Sequence, residues 1–564
     1  MGNRSSEDFK NIKELLASAC VKRKNKIAIS EKINNEIVSY TVERLQRDVN
    51  ALGTKLIDMG LKDKHIAIIG ENSYRWAVSY LAVINGVGVA VPLDKELPKN
   101  SLVKLLSAGH VNVLIFSKMF SSMIKDIKSG YSGLETFICM DDNTDGYITL
   151  NELIEAGEML LTDGNEEYIN SRIDENALSV IVFTSGTTGP NKGVMLSHHN
   201  LMTVVKMATE YFKEYKYTIS VLPLHHIYEN VCQLLSPINV GAIIFFNDSL
   251  KYLPNNLKIF KPEMTVMVPL FLETMYKQMI KEINKRGFMG VFNRAVKISN
   301  WLLKFKIDLR RCMFRHILGF FGGRLRTIVC GGAYLRPELV KNYREIGINV
   351  INGYGITECS PLISVNIGEN LKDDSVGKIV QYNKVKINNP DKNGIGEILV
   401  KGDNVMLGYY KDNESTKNSL KDGWFNTGDL GYVDEYNNLF ITGRKKNLIV
   451  LSNGKNVHPE ELESYVIEVM KYVKEVVVYT SKNVGGGDMI VASIFLDNEF
   501  LQQYSDEEIR KIVDRDLAVV NSNLPGFKKI HHMFIRENEF EKTTSQKIIR
   551  DVFLKEVVKN GEKS

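Results

Sequence analysis

Short apolar segments alternate with helix-length amphipathic stretches along most of the chain. His65–Ile69, Val111–Phe116 and Ala242–Phe246 have the length and composition of buried strands, whereas Val42–Met59 repeats apolar residues at helical spacing. The apolar stretch Trp76–Leu93 contains small and polar residues in its interior, which favours a helix, a turn and a buried strand over a membrane span. This alternation predicts an α/β fold with mainly parallel sheets.

The pattern changes near Gly394. Gly396–Lys401 and Leu439–Thr442 are short strand segments bounded by turn-forming residues, which indicates a β-rich unit. After Lys446 the chain contains further strand and helix segments, including Glu475–Tyr479 and Ile490–Phe495. We therefore expect a large N-terminal α/β domain with two related, mainly parallel sheets and a β-rich subdomain, followed by a small mobile α+β C-terminal domain. The predicted bounds are 1–445 for the first domain, about 375–445 for its β-rich subdomain, and 446–564 for the second.

Composition and charge exclude several classes of protein. The 564 residues are 44% hydrophobic and 25% charged, which is the balance of a globular protein with several folding units. The net charge of +5 is too small over this length to indicate nucleic-acid binding. Six scattered cysteines without a CxxC pair favour a reducing cytoplasm, and the polar N-terminus lacks the apolar segment of a secretory signal.

The segment Thr184–Gly193 has the composition of a loop that binds polyphosphate. A buried strand leads into glycines, hydroxyl side chains and finally Lys192. Glycines allow backbone N–H groups to converge on phosphate oxygens, hydroxyls add donors, and lysine supplies positive charge. The segment is not a Walker A loop, because Lys192 precedes glycine and not serine or threonine. An ordinary glycine- and threonine-rich turn remains the alternative at this point.

Three further segments add groups that suit a nucleotide. Asn352–Glu358 combines glycines with Tyr354, whose ring can stack on a purine, and with the Glu358 carboxylate, which can bind Mg²⁺. Asp429 can accept hydrogen bonds from both ribose hydroxyls, and Arg444 can donate to the sugar or to phosphate. Surface turns with solvated charges are the alternative explanation of each segment.

Taken together, five motifs in order resemble the signatures of adenylate-forming enzymes. They are Thr184–Gly193, Gly353–Glu358, Thr427–Gly431, Gly443–Arg444 and Lys542–Arg550. Within that superfamily, Leu222–Glu229, Val268–Glu273 and Asn453–Glu460 look most like long-chain fatty acyl-CoA synthetases. Two positions depart from the family pattern: Asn191 stands where proline usually precedes the loop lysine, and Gln546 stands where glycine usually precedes Lys547.

The resemblance implies a two-step reaction. A fatty acid and ATP give acyl-AMP and pyrophosphate, and CoA then takes the acyl group and releases AMP. Lys547 would act with the carboxylate and the α-phosphate, Lys446 would be the hinge of the C-terminal domain, and Mg²⁺ would bind Glu358 and Thr184. The remaining implied residues are, for the nucleotide, Ser185, Gly186, Thr187, Thr188, Gly189, Lys192, Gly331, Gly332, Ala333, Asn352, Gly353, Tyr354, Gly355, Thr357, Asp429 and Arg444; for the acyl pocket, His226 and Tyr228; and for the CoA side, Gly454, Lys455 and Asn456.

Other interpretations compete with this one. An acyl-carrier protein is the alternative acceptor, and amino-acid adenylation is a second rival because of Tyr228-Glu229. Asp141–Glu152 matches an EF-hand calcium loop, which makes a calcium-responsive binding protein a further alternative. The preceding residues, however, predict a strand where an EF-hand needs a helix. The pairs His198-His199 and His225-His226 suggest metal, although adjacent histidines are poorly placed to share an ion.

The chain also offers two features that would bring it to a membrane. Met1-Gly2 with Ser6 formally fits an N-myristoylation pattern, which is short and weak. Residues 281–326 interleave basic and aromatic side chains in a helical region, which predicts either peripheral contact with the inner face of an anionic membrane or an ordinary surface helix pair.

Overall fold

The structure of the protein is a computed structural model. The structure describes residues 9–142, 146–184, 191–212, 215–368, 370–451, 455–482, 488–542 and 548–561. The described chain forms two compact units. The larger unit holds most of the chain up to Lys384 together with Val400–Phe425, and the smaller unit holds Val385–Leu399 and the chain from Asn426 onward.

The strands are numbered along the chain. They are β1 Ile27–Ile33, β2 Glu36–Thr41, β3 Lys64–Ile69, β4 Gly88–Leu93, β5 Val113–Phe116, β6 Thr136–Cys139, β7 Ile148–Thr149, β8 Leu178–Thr184, β9 Lys192–Ser197, β10 Tyr217–Ser220, β11 Ile243–Phe246, β12 Met264–Met267, β13 Thr327–Cys330, β14 Asn349–Gly355, β15 Leu362–Val365, β16 Lys378–Ile379, β17 Asn383–Asn388, β18 Gly396–Gly402, β19 Gly408–Tyr409, β20 Leu420–Lys421, β21 Trp424–Val433, β22 Leu439–Arg444, β23 Ile449–Val450, β24 Asn456–Val457, β25 Val473–Lys482, β26 Asp488–Leu496 and β27 His532–Arg536.

The α-helices are numbered in the same way. They are α1 Ile12–Arg23, α2 Val42–Asp58, α3 Tyr74–Ala82, α4 Lys99–Ala108, α5 Ser121–Gly130, α6 Leu150–Thr162, α7 Glu167–Asn170, α8 His198–Tyr211, α9 Ile227–Glu229, α10 Ser236–Val240, α11 Leu253–Phe260, α12 Pro269–Lys285, α13 Met289–Leu303, α14 Arg310–Met313, α15 Arg315–Leu318, α16 Pro337–Glu345, α17 Asn413–Ser419, α18 Pro459–Val469, α19 Asn498–Leu501, α20 Asp506–Ser522 and α21 Arg550–Gly561.

Two large mixed sheets organise the larger unit. The nine-stranded sheet has the order β16-β15-β14-β13-β12-β10-β11-β1-β2, and its central strands from β14 to β1 pair in parallel. The eight-stranded sheet has the order β19-β9-β8-β4-β3-β5-β6-β7, with parallel pairing from β8 to β7. Parallel strands need crossover connections, which the intervening helices supply.

Local sequence signals explain where many of these helices begin. Thr41 and Ser73 accept hydrogen bonds from the first-turn N–H groups of α2 and α3, and such caps satisfy donors that the helix itself leaves unpaired. Thr149 and Glu152 form a complete capping box at the start of α6. The buried strand β3 and the long amphipathic helix α2 thus follow directly from the pattern of the chain.

Smaller sheets complete the fold. One has the order β17-β18-β21-β20, with β22 paired to β21. In the smaller unit β25, β26 and β27 form a three-stranded sheet that packs with α18 and α20 around a separate apolar core, including Val466, Ile494 and Val513. The predicted fold class is confirmed: two mainly parallel sheets, a β-rich region and a small C-terminal α+β portion.

Several individual elements also match the sequence pattern. Trp76–Leu93 forms the end of α3, a π-helical turn at Val83–Val87 and the buried strand β4. No described helix is both long enough and apolar enough to cross a bilayer. The domain boundary at residues 445 and 446 stays a prediction.

Candidate active site

The carboxyl ends of the parallel strands in the nine-stranded sheet carry many of the predicted binding residues. Because β10, β13 and β14 run in the same direction, the segments that follow them emerge at one edge. These segments contain His226 and Tyr228 after β10, Gly331–Ala333 after β13, and the end of β14 itself with Tyr354. Ligands of open α/β sheets characteristically bind at this edge.

Close backbone approach explains the glycines at this edge. A Cβ on Gly331 would lie 2.9 Å from the carbonyl oxygen of Gly353 and 3.5 Å from the Tyr228 hydroxyl. The Tyr228 hydroxyl itself donates to the Val329 carbonyl at 3.2 Å. Gly332 has a φ of 84°, a conformation that side chains rarely adopt, and it is exposed like Ala333. The structure therefore brings the predicted acyl residue Tyr228 to the predicted adenine segment.

A buried carboxylic acid fixes the segment that precedes Tyr228. Glu229 is fully buried, and its Oε1 accepts hydrogen bonds from the Ser220 hydroxyl at 2.6 Å and the Val221 N–H at 2.8 Å. From the other side, the Asn72 amide donates to the Leu222 carbonyl at 2.7 Å and accepts from the Leu224 N–H at 2.9 Å. The loop after β10 is thus held by hydrogen bonds with Glu229 on one side and with Asn72 on the other.

Burial raises the pKa of Glu229 to about 8, although the hydrogen bonds from Ser220, Val221 and Leu222 act in the opposite direction. The carboxyl is therefore mostly neutral at pH 7. In the sequence, Tyr228-Glu229 makes amino-acid adenylation a rival function, which would need Glu229 to face a substrate. In the structure, the Glu229 carboxyl group instead lies inside the protein, where it accepts a hydrogen bond from the Val221 backbone N–H.

We expect Glu229→Gln to change how stability depends on pH. The folded protein keeps the Glu229 proton that the unfolded chain releases near pH 4.5, so this stabilisation is present below about pH 4.5 and is lost as the pH rises through about 8. The loss is of the order of 4 kcal/mol between about pH 5 and about pH 8. Thermal melts across this range should show a falling melting temperature for wild type relative to Glu229→Gln.

The matched control is Glu155→Gln, which removes an exposed carboxylate from α6. Its melting temperature should follow wild type at every pH. If the melting temperatures of wild type and Glu229→Gln change with pH in the same way, Glu229 does not hold its proton in the folded state.

The predicted phosphate segment joins two antiparallel strands. Thr184 ends β8 and pairs with Lys192, the first residue of β9. Ser185, Gly186, Thr187, Thr188 and Gly189 lie outside the described residues, so their role stays a prediction. Lys192 Nζ lies 4.8 Å from the centre of the Tyr409 ring, which is a cation–π distance.

Tyr409 connects the loop lysine to the predicted metal-binding carboxylate. Its hydroxyl donates to Glu358 Oε1 at 3.0 Å, while its ring faces Lys192. Burial, then the negative charge of Glu358, raises the pKa of Tyr409 and keeps the phenol protonated. Strand β19 places Tyr409 here by pairing antiparallel with β9, Tyr409 opposite Val194. We name Lys192, Tyr409 and Glu358 the phosphate-side cluster.

Sequence reasoning missed Tyr409. It lies 51 residues after Glu358 in the chain, outside every recognised motif. The signal available in the sequence was Gly408-Tyr409-Tyr410, a short aromatic strand segment after a glycine.

The donor set at Glu358 fits magnesium that arrives with a triphosphate. Among the described residues there is no group of three or more histidine, cysteine or acidic side chains that could cage a metal. Mg²⁺ typically uses one or two carboxylates and takes its other ligands from phosphates and water. Glu358, whose Oε1 is oriented by Tyr409, and the Thr184 hydroxyl would be the protein ligands.

Other predicted nucleotide residues have defined structural roles. Asn352 is buried, and its amide donates to the Ser375 carbonyl at 2.9 Å, so that this nitrogen is used within the fold. Gly355 has no space for a Cβ, because the Pro361 carbonyl occupies that position. Thr357 begins the short 3₁₀ helix Thr357–Cys359, which contains Glu358. Their part in nucleotide binding stays a prediction.

In the smaller unit, the two predicted ribose residues form an ion pair. Asp429 on β21 lies opposite Arg444 on β22, and Arg444 Nε lies 2.7 Å from Asp429 Oδ1. Asp429 is buried, whereas the Arg444 side chain is 42% exposed. The Thr427 hydroxyl accepts from the Asp429 N–H at 3.0 Å. The pair is thus a rigid carboxylate beside an accessible guanidinium.

The predicted hinge and CoA-side residues also lie in the smaller unit. Lys446 is in the 3₁₀ turn Lys445–Asn447, and burial lowers its pKa. Lys455 Nζ lies 4.5 Å from the centre of the Phe527 ring. Asn456 is exposed and begins β24. Gly454 lies outside the described residues.

Lys547 lies outside the described residues, but the chain on either side of it is well fixed. Lys542 forms a β-bridge with Ile548 and ion pairs with Glu475 and, at 2.6 Å, with Glu539. Arg550 at the start of α21 forms an ion pair with Glu463. The catalytic role of Lys547 remains a prediction.

Residues 143–145 of the segment Asp141–Glu152 lie outside the described residues, and the described ends of the segment do not have the arrangement of a calcium loop. The entering segment is strand β6 and not a helix. Asp141 accepts the Lys118 N–H at 2.6 Å, and Asp142 pairs with Arg75 at 2.6 Å. Glu152, the residue that would chelate calcium, caps α6 instead.

The contacts of the two histidine pairs likewise argue against a metal site. Buried His198 accepts the Ile12 N–H at Nδ1 and contacts the Ile84 carbonyl through Nε2 at 2.9 Å, and burial lowers its pKa to about 4. Burial also lowers the pKa of His225, whose Nε2 is 3.8 Å from Asp94. The His225 and His226 rings pack 4.2 Å apart. Both ring nitrogens of His198 are thus used by backbone groups, and the packing of the His225 ring on the His226 ring is unlike two ligands that share a metal ion.

Comparison with known proteins identifies the family. Residues 16–410 match the AMP-binding enzyme family, and residues 446–560 match the AMP-binding enzyme C-terminal domain. Since the first match covers well over half of the chain, the protein belongs to the AMP-binding, adenylate-forming enzymes. It is an acid–thiol ligase of that superfamily.

Named relatives include several fatty-acid enzymes. The chain is 30% identical to fatty acyl-CoA synthetase B of Dictyostelium discoideum, over 84% of this chain and 74% of that protein. It is 28% identical to long-chain-fatty-acid–CoA ligase 5 of Rattus norvegicus, over 87% and 78%. It is also 26% identical to the Arabidopsis thaliana long-chain-fatty-acid–[acyl-carrier-protein] ligase AEE15, over 90% and 79%.

Solved structures agree on the fold. The anthranilate CoA ligase AuaEII in complex with anthranoyl-AMP superposes with a TM-score of 0.78 at 20% identity, covering 98% of both chains. The o-succinylbenzoate CoA synthetase of Bacillus subtilis with its acyl-adenylate gives a TM-score of 0.73 at 20% identity, covering 96% of this chain and 97% of that one.

Proposed function

We propose that this protein is a long-chain fatty acid–CoA ligase. It activates the acid with ATP to acyl-AMP, releases pyrophosphate, and transfers the acyl group to CoA. The observation that carries the proposal is the phosphate-side cluster, in which Tyr409 joins the loop lysine Lys192 to the acidic side chain of Glu358. Relatives named as long-chain-fatty-acid–CoA ligases support the long-chain substrate class, and a relative named as a fatty acyl-CoA synthetase supports the fatty acid and CoA.

The first half-reaction needs charge compensation at phosphorus. The fatty carboxylate attacks the α-phosphorus, a new C–O–P linkage forms, and the bond to pyrophosphate breaks. Lys192 offsets charge on the outgoing phosphates, and Lys547 offsets charge on the carboxylate and α-phosphate as they meet. Glu358 is oriented by the Tyr409 hydroxyl so that one carboxylate oxygen is fixed before ATP binds.

Magnesium would supply electrostatic stabilisation of the leaving pyrophosphate, held by Glu358 and Thr184. The Asp429 carboxylate would accept hydrogen bonds from the ribose hydroxyls, and Arg444 would hold that carboxylate in place. The rings of Tyr354 and Tyr228 would bound the adenine and acyl regions. Gly331, Gly332 and Ala333 would admit the ligand close to the backbone.

In the second half-reaction, the acyl group passes from an oxygen of AMP to the sulfur of CoA. The CoA thiolate attacks the acyl carbon of the adenylate, the thioester bond forms, and AMP leaves. We assign this step to a second position of the C-terminal domain, with Lys446 as the hinge and the residues Gly454, Lys455 and Asn456 on the CoA side. We also propose a cytoplasmic location, based on six cysteines that are scattered along the chain without a CxxC pair and form no disulfide with one another.

Pyrophosphate release with ATP, Mg²⁺ and palmitate, run with and without CoA, tests the proposal. Palmitoyl-CoA detected by mass spectrometry, formed with one AMP and one pyrophosphate per product, is the expected result. The control replaces palmitate with an amino-acid mixture, which should give no turnover. Turnover with amino acids alone would contradict the assigned substrate.

An acyl-carrier protein is the second candidate acceptor, because one relative is named for that reaction. Accumulation of palmitoyl-AMP with CoA present, followed by its consumption when carrier protein is added, would favour this alternative.

A further inference from the structure

Helix α13 exposes a continuous apolar and basic stripe. Val291, Ile298, Trp301 and Phe305 are 61%, 52%, 57% and 60% exposed, and Arg294 is exposed among them. Their spacing of three, four, three and four residues places them on one side of a helix and of the turn that ends it. We call these five residues the α13 stripe.

The opposite side of α13 is anchored in the core. Phe292 and Ser299 are buried, and the Phe292 ring packs against Phe314 with centroids 5.8 Å apart. Met289 and Val296 are partly buried against the same core. The orientation of the helix is therefore set by packing, and the stripe faces outward for that reason.

Two of the exposed side chains are in contact with each other. The Trp301 and Phe305 rings meet edge to face at 5.0 Å. Single exposed apolar residues are common on soluble proteins, but a row of large ones on one helix face marks an interaction surface. Phe288 at 58% and Ile307 at 46% exposure extend the apolar surface at both ends.

The positive charge around α13 indicates the kind of partner. Between Glu282 and Asp308 the sequence has no acidic residue and six basic ones: Lys285, Arg286, Arg294, Lys297, Lys304 and Lys306. The two acids that bound the segment are already used, since Glu282 pairs with Arg286 and Asp308 with Arg310, each at 2.7 Å. The surface is thus positive over the whole length of the helix.

We propose that the α13 stripe docks on the surface of an anionic lipid bilayer. Ile298, Trp301 and Phe305 enter the boundary between headgroups and acyl chains, and Arg294, Lys297 and Lys304 contact lipid phosphates. Aromatic rings with flanking cations are the side chains that prefer this boundary. A protein partner would need an acidic groove around a large apolar ridge, whereas a bilayer provides both properties without a specific fit.

Trp301 is a built-in reporter for this proposal. Of the three tryptophans, Trp76 is buried, Trp424 is half-buried and Trp301 is strongly exposed. Anionic vesicles of phosphatidylglycerol in phosphatidylcholine should shift Trp301 emission to shorter wavelength, and brominated acyl chains should quench it. Phosphatidylcholine vesicles alone should give neither effect, and high salt should weaken the binding. The Trp301→Tyr variant should lose the spectral change.

Flotation of the full-length protein with the same vesicles measures the contribution of each kind of side chain. The triple variant Arg294→Gln/Lys297→Gln/Lys304→Gln should lower the partition coefficient by on the order of a hundredfold. Its matched control, Lys104→Gln/Lys125→Gln/Lys258→Gln, removes the same charge from exposed helical positions elsewhere and should bind like wild type. Ile298→Ser with Phe305→Ser should also lose binding, whereas Met159→Ser at an exposed position of α6 should not.

Several outcomes would overturn the proposal. Equal binding to neutral and anionic vesicles, no binding by wild type, or unchanged binding by the stripe variants would each do so. Light scattering tests whether the stripe is instead an interface between copies of this chain. That conclusion follows if wild type is a dimer, the stripe variants are monomers, and neither wild type nor the variants bind lipid. Thermal melts confirm that the variants fold, and acyl activation in detergent solution, which the stripe residues do not carry, should stay at the wild-type level.

Discussion

Replacing Lys547 by alanine is expected to slow acyl-adenylate formation severely while leaving transfer to CoA from a supplied acyl-adenylate largely intact. The ammonium group offsets the charge that accumulates as the fatty carboxylate approaches the α-phosphate, and such a contribution is worth on the order of a hundredfold to a thousandfold in rate. The second half-reaction begins from a neutral acyl carbon and a good leaving group, so it does not need this lysine.

The two half-reactions can be measured separately. ATP–pyrophosphate exchange with palmitate reports the first, and palmitoyl-CoA formation from synthetic palmitoyl-AMP and CoA reports the second. Lys555→Ala removes an exposed lysine from α21 in the same C-terminal segment and should leave both rates unchanged. An equal loss of both half-reactions in Lys547→Ala would mean that the residue supports the fold and not the chemistry.

Substitutions in the phosphate-side cluster should lower the rate of the first half-reaction, and the size of the effect should depend on the residue replaced. Glu358→Gln keeps the hydrogen bond from Tyr409 but removes the negative charge that holds Mg²⁺, and it should lower the rate by on the order of a hundredfold. Tyr409→Phe removes one hydrogen bond to Glu358 and keeps the aromatic face toward Lys192. Because a hydrogen bond to a charged group contributes about 1.5–3 kcal/mol, we expect a loss of roughly tenfold to a hundredfold.

Magnesium titrations of pyrophosphate release distinguish the two variants from a general loss of structure. Glu358→Gln should need a higher Mg²⁺ concentration for half-maximal rate, and Tyr409→Phe should show a smaller shift in the same direction. The neighbouring Tyr410 contacts His65 and His110 instead, so Tyr410→Phe is the matched control and should titrate like wild type. An unchanged magnesium requirement in Glu358→Gln would remove Glu358 from the metal site.

Much of the fold could be predicted from the sequence because the signals are local. The apolar segment His65–Ile69 forms β3, and the amphipathic stretch Val42–Met59 forms α2 with a cap at Thr41. The motifs around Thr184, Glu358, Asp429 and Arg444 were recognisable for the same reason. Each combines glycine with a specific polar side chain over a few residues, and that combination does not depend on the rest of the chain.

The positions of other residues depend on long-range pairing. Tyr409 reaches Glu358 only because β19 adds to the edge of β9, more than two hundred residues earlier in the chain. Glu229 looked like a binding residue, and only the packing of the loop after β10 shows it as a buried acid. No periodicity in the sequence reports such contacts, since they are set by which apolar surfaces meet.

The sequence by itself determined the α/β class, the order of the motifs that resemble those of adenylate-forming enzymes, and the basic, aromatic character of residues 281–326. The tertiary structure decided which polar groups are buried, which ones meet, and which face of α13 points outward. The physical reason is that hydrogen-bonded turns and amphipathic spacing are encoded over a few residues. Burial, desolvation and side-chain pairing arise only when segments distant in the chain pack together.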